Sequence, residues 1–187
     1  RQAKNYFVWD GKTTRNISAK IKVPLWNEDY NNPDDPPPYG VMGWQEGDSA
    51  VYVYDKYDVW KIDPLAKNLS ISITKGRKDK IIYRYINVNP EERYIKNEHG
   101  LVYKIFNEIT KASQLSNQFL GTVRSNTIIK ADSKTFWTPV TINNIVKAKD
   151  SHVWLCALEN FKRYPDLFSA AVVDTIAPAD DVLLYGA

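Results

Sequence analysis

The chain is poor in the residues on which nucleophilic and metal chemistry depend. Among its 187 residues there is one cysteine, Cys156, and there are two histidines, His99 and His152. A lone cysteine excludes an intrachain disulfide. Cys156 lies inside the apolar run 153–158, where a small buried thiol is inert packing rather than a nucleophile. Two histidines without a carboxylate at matching spacing do not make the usual catalytic zinc sites. His99 sits in the polar turn 97–100 and His152 beside Asp150 and Ser151, so both read as solvated turn residues. None of the eight glycines flanks a serine in the Gly-x-Ser-x-Gly pattern of a nucleophile elbow. No apolar run approaches membrane-spanning length, and no signal peptide is visible. Net charge is only +3, with basic and acidic residues interleaved, so nothing predicts a nucleic-acid footprint. Helical periodicity is missing as well. The sequence assigns no catalytic, cofactor-binding or metal-ligating residue.

What is abundant is aromatic. Six Trp and twelve Tyr lift the aromatic fraction to 13%, which favours sheet over helix. The ordering stretch is 43–64. Residues 49–54 and 59–62 alternate β-branched or aromatic residues with small or polar ones, the period of a half-buried strand. Gly47-Asp48 before them, Asp55-Lys56-Tyr57-Asp58 between them and Asp63-Pro64 after them are turn chemistry. The expectation is a hairpin whose Trp60 packs with Trp44 and Tyr54.

This hairpin recurs. Val51 and Val153 open apolar strands and Val102 sits in Leu101-Val102-Tyr103-Lys104-Ile105-Phe106, at intervals of 51 residues, and each strand is followed by an acidic or amide turn: Asp55, Asn107-Glu108, Glu159-Asn160. The N-terminal pattern Phe7-Val8-Trp9-Asp10-Gly11 matches the later Trp60-Lys61-Ile62-Asp63-Pro64, as the tail of an earlier copy. A period near fifty residues with several strands per unit is the pattern of a β-propeller blade. The fold expectation is all-β, a partial β-propeller of about three to four antiparallel blades spanning 1–187.

Further strands are expected over 17–23, 71–74, 81–88, 123–131, 136–140 and 142–148, with 111–119 as a loop or short helical turn. Residues 27–40, rich in proline, must form a loop, because proline cannot donate to a ladder. Its acids Glu28, Asp29, Asp34 and Asp35 raise the question of calcium, but the EF-hand spacing is absent.

Several pieces occur in an order that resembles the propeller domain of the prolyl oligopeptidase family of serine peptidases, in particular large secreted peptidases of Bacteroidetes type. They are Tyr39-Gly40-Val41, Gly43-Trp44, Val53-Tyr54-Asp55-Lys56-Tyr57-Asp58-Val59-Trp60, Thr74-Lys75-Gly76-Arg77, Phe106-Asn107-Glu108-Ile109-Thr110-Lys111 and Tyr164-Pro165-Asp166-Leu167. Residues 113–119 and 170–176 depart from the family pattern. The resemblance implies that 177–187 leads towards an α/β-hydrolase domain that is not in this chain and that carries the catalytic triad. It also implies that the chain caps that domain and gates the entry of peptide substrates. An extracytoplasmic location follows from the resemblance alone, since an opening Arg1 in place of Met reads as a piece of something longer. The alternative is a stand-alone propeller-like protein-interaction module. Either way the chain by itself is expected to be inactive, without cofactor, nucleic acid or membrane. Rings in that family have about seven or eight blades, so a partial ring is expected to self-associate, most simply as a homodimer through its open blade faces.

Overall fold

The computed structural model describes residues 4–96, 100–118, 125–131, 141–151, 153–160, 163–171 and 184–186. Its regular structure is almost wholly strand: β1 (Phe7–Trp9), β2 (Thr14–Asn16), β3 (Val41–Trp44), β4 (Val51–Tyr54), β5 (Val59–Ile62), β6 (Ile71–Ser72), β7 (Ile81–Tyr85), β8 (Leu101–Asn107), β9 (Ser113–Gln118), β10 (Ser125–Ala131), β11 (Thr141–Lys147), β12 (Val153–Asn160), β13 (Arg163–Ala171) and β14 (Leu184–Gly186). Two single 3-10 turns, Glu46–Asp48 and Arg77–Asp79, complete it. The strands form an antiparallel ribbon, β1-β2, and three four-stranded antiparallel sheets, ordered β3-β4-β5-β6, β10-β9-β8-β7 and β11-β12-β13-β14. Each larger sheet is a meander in which chain neighbours are sheet neighbours. Val51, Val102 and Val153 all fall in the second strand of a meander. The chain divides into two compact units, residues 1–82 with 92–97 and residues 83–91 with 98–187.

In the first unit the ribbon and the β3–β6 sheet share one core. Val51, Val53 and Ile62 are buried with Ile17 and Leu25, and Tyr6, Val8, Ile21, Trp44, Trp60 and Ala66 pack around them. Full burial of each such aliphatic side chain contributes about 1.5–3 kcal/mol. Trp44 and Trp60 therefore pack against the same core. Tyr54 is not a member, because it follows Val53 by one residue and a strand sends neighbours to opposite faces. Strand β3, not foreseen, holds a register shift between Val41 and Gly43. A Cβ at Gly43 would lie 3.2 Å from Ile95 Cδ1, so the glycine admits the segment whose Ile95 pairs in parallel with Gln45.

The strand expected over 17–23 is absent. The chain leaves β2 at Asn16, whose Oδ1 accepts the Ser18 N–H at 3.2 Å, and Ile21 N–H then closes a turn onto Ser18 C=O at 3.0 Å. Local side-chain acceptors here outcompete the ladder.

In the second unit, β8 is buried from Leu101 to Tyr103, and the Tyr103 ring meets Tyr83 and Tyr85 edge-on at 5.9 and 6.3 Å. Within the expected loop or short helical turn at 111–119, Ser113 to Gln118 is instead a strand, β9, in register with β8 from Phe106↔Ser113 to Leu101↔Gln118. Its apolar content is small, but Leu115 is fully buried, and Ser113 and Ser116 are buried with it. The expected strand at 136–140 lies outside the described residues. At the far end, β14 pairs with β13 from Phe168↔Gly186 to Ala170↔Leu184.

Candidate functional site

The turns at Asp10, Asp55 and Asn107 share one mechanism. Asp10 Oδ1 accepts the N–H groups of Lys12 and Thr13 at 3.0 and 2.8 Å. Asp55 Oδ1 accepts those of Tyr57 and Asp58 at 2.6 and 2.8 Å, and Asn107 Oδ1 those of Ile109 and Thr110 at 2.8 and 3.0 Å. An Asp or Asn side chain thus replaces the missing ladder partner two and three residues ahead. At Asp10, exposed to solvent, these amides hold the carboxyl well below its ordinary range.

Between β4 and β5 the motif is built inward. Asp55 is fully buried and Asp58 nearly so. The second Asp55 oxygen takes the indole N–H of Trp60 at 2.8 Å, and Arg77 Nη2 stands 3.2 Å from Oδ1. Asp58 accepts the Thr74 hydroxyl at 2.7 Å, the Gly76 N–H at 2.6 Å and the Arg77 N–H at 3.2 Å. Thr74 in turn accepts the Val59 N–H at 3.0 Å. Two carboxylates that would be costly alone are each met by several donors.

Arg77 extends this knot to the proline-rich loop. Its guanidinium forks onto Glu28 at 3.1 and 3.4 Å and lies 5.1 Å from the centre of the Tyr57 ring. Burial acts to lower the Arg77 pKa, but the Glu28 hydrogen bonds and the Asp55 charge outweigh it, and the pKa rises. Next door, Lys56 pairs with Asp29 at 2.9 Å. The loop closes at its base, where Asn27 N–H bonds Pro37 C=O at 2.8 Å and Tyr39 N–H bonds Leu25 C=O at 3.0 Å. Lys4 holds its other limb through Asp35 at 2.9 Å and Pro36 C=O at 3.3 Å.

So anchored, the loop walls a recess of about 1020 Å³, whose lining includes the rings of Phe7, Trp26 and Tyr30 and the polar side chains of Asn27, Asn32 and Asp34. That is the upper end of the usual range for ligand sites, about 300–1,000 Å³. The four loop acids do not converge. Glu28 faces Arg77, Asp29 faces Lys56, Asp35 faces Lys4, and Asp34 accepts the Tyr30 hydroxyl at 2.9 Å. Among the described residues no three His, Cys, Asp or Glu side chains come together as metal ligands.

Cys156 is wholly buried in β12, and burial pushes its thiol pKa up, as for a core residue. His99 and His152 lie outside the described residues. The segment 75–79 carries the Arg77 clamp. The Asp-x-x-Asp spacing at 55 and 58 followed by Thr74 and Arg77 was its only sequence signal. Among the described residues no helix is long and apolar enough to cross a membrane. No protein-family model, curated protein or solved structure matches the chain.

Proposed function

We propose that this chain is a non-catalytic β-propeller segment whose sheets serve as successive blades. One observation carries this reading: three four-stranded meanders follow one another along the chain, and the 51-residue repeat falls on the same strand of each. Strand-by-strand meanders at such a period are what blades require. The resemblance to the prolyl oligopeptidase family adds the role of capping a hydrolase domain of the parent chain and gating its peptide substrates. In that role the aspartate turns and the Arg77 clamp fix loops on a rigid sheet, and exclusion needs rigidity rather than a reactive group. The test is to incubate the pure chain with proline-containing chromogenic peptides. No turnover is expected, and turnover abolished by a serine-reactive phosphonate would overturn the non-catalytic reading.

A second reading, a stand-alone interaction module, is favoured by the aromatic-lined recess beside the proline-rich loop. It is separated from the first by whether the chain, joined to a hydrolase domain, changes the length of peptide that domain accepts.

A further inference from the structure

The recess beside the proline-rich loop is defined by what its walls leave open. Its lining includes the rings of Phe7, Trp26 and Tyr30, and none of the three is buried. Phe7 is 57% exposed. Rings open to water in a concave wall offer faces on which a ligand can stack.

The charges of the lining are for the most part already engaged. Lys4 holds Asp35 at 2.9 Å and the Pro36 C=O at 3.3 Å, and Glu28 holds the Arg77 fork. Asp34 has no cationic partner among the described residues, so the recess keeps a residual negative charge and disfavours an anion. Neutral groups are freer. Asn5 and Asn27 accept the Ser18 hydroxyl and the Asp29 N–H on Oδ1, at 3.2 and 3.0 Å, while their Nδ2 atoms donate to nothing among the described residues. Asn32 is exposed and makes no side-chain hydrogen bond there, and Asp34 uses one oxygen for the Tyr30 hydroxyl at 2.9 Å. Backbone donors are scarce in the loop wall, because Pro33, Pro36 and Pro38 have no N–H. A peptide laid along that wall as an added strand would meet an interrupted ladder, so recognition falls to side chains.

We propose that the recess binds a neutral oligosaccharide. The C–H face of a sugar ring rests on the electron-rich face of an aromatic ring. Its neighbouring hydroxyls both donate and accept, which the adjacent polar atoms of an amide or carboxylate answer in pairs. It brings no negative charge against Asp34. A volume of about 1020 Å³ lies at the top of the range for small-molecule sites and suits several sugar rings in a row rather than one. The Lys4 and Arg77 contacts fix the loop before any ligand arrives, so little ordering opposes binding. This occupant goes beyond both readings of the chain given above, and neither of their assays bears on it.

The test is calorimetric titration of the pure chain with cellopentaose, mannopentaose, xylopentaose, chitopentaose and maltopentaose, beside pentagalacturonate and a decaproline peptide. Saturable binding of at least one neutral sugar is expected, with the acidic sugar and the peptide weaker by about tenfold or more. Trp26→Ala and Phe7→Ala should each weaken it by about tenfold, the worth of one stacking contact. Asn32→Ala should weaken it by about threefold, the worth of one neutral hydrogen bond, and leave the melting temperature in place, which keeps the test decisive should Trp26→Ala disturb the fold. Trp9→Ala removes a ring that is 71% exposed but outside the lining, and should leave binding unchanged. No binding of any of the five neutral sugars at millimolar concentration overturns the proposal. Tighter binding of pentagalacturonate or decaproline does so too, as does a loss from Trp9→Ala equal to that from Phe7→Ala.

Discussion

Replacing Asp55 by alanine tests how the hairpin at the centre of the first unit is held. The carboxylate is fully buried and accepts hydrogen bonds from the amides of Tyr57 and Asp58 and the indole of Trp60, with the Arg77 guanidinium 3.2 Å away. Alanine leaves all of these donors in place and removes their acceptor. A buried donor left unpaired costs about 1–3 kcal/mol, and loss of one partner of a buried ion pair about 3–5 kcal/mol. Arg77 is one-third exposed and keeps Glu28, so its share falls towards the lower bound. Relaxation of the turn lets water reach some of the amides, which also reduces the sum. A net loss of roughly 4–6 kcal/mol is expected, comparable with the whole stability of a small domain. Asp55→Asn keeps the shape and one acceptor oxygen but turns an amide N–H towards the indole or the guanidinium, and should lose about half as much. Urea unfolding followed by tryptophan fluorescence reads both variants, with Asp63→Ala, whose turn is exposed, expected to lose far less. An Asp55→Ala chain that unfolds within about 1 kcal/mol of the parent would refute the reasoning, because at least one donor must then have found another acceptor.

Tyr52, fully buried with its hydroxyl 3.0 Å from Gln45 Oε1, has its pKa pushed up to about 12 by burial. A raised folded pKa means that stability is intact below about pH 10, where the free phenol titrates, and is lost as the pH climbs to about 12. Tyr52→Phe should remove that alkaline loss, of roughly 2–3 kcal/mol, and a pH–stability profile that keeps it would place the titration elsewhere. For the loop clamp, Arg77→Lys keeps the charge but cannot fork onto Glu28 while facing Asp55. Limited proteolysis within 27–40 should quicken several-fold in that variant, and an unchanged cleavage rate would show that Lys4 and Lys56 hold the loop without Arg77.

Many of the strands were legible because they alternate or form short apolar runs. Residues 51–54 and 59–62 alternate, residues 101–107 and 153–160 open as short apolar runs rich in β-branched and aromatic residues, and turn residues bound them. Strand β9 was not legible, since Ser-Gln-Leu-Ser-Asn-Gln has one large apolar residue and owes its conformation to pairing with β8. Nor was β3, because a strand interrupted by Gly43 and a register shift loses its alternation. The proline loop was visible as a loop, but its fastening was not. Glu28 and Arg77 are forty-nine residues apart, and no local pattern marks which of many surface charges will meet. Similarly, Asp55 and Asp58 look like ordinary turn residues until the fold buries them.

The central claim is that the three meanders are blades, and their relative orientation tests it most directly. Residual dipolar couplings of the backbone amides give the rotations that carry the β3–β6 sheet onto β7–β10, and that sheet onto β11–β14. The account predicts two equal rotations about one common axis, each about 45–90° as in rings of four to eight blades. Two unequal rotations about unrelated axes would contradict it.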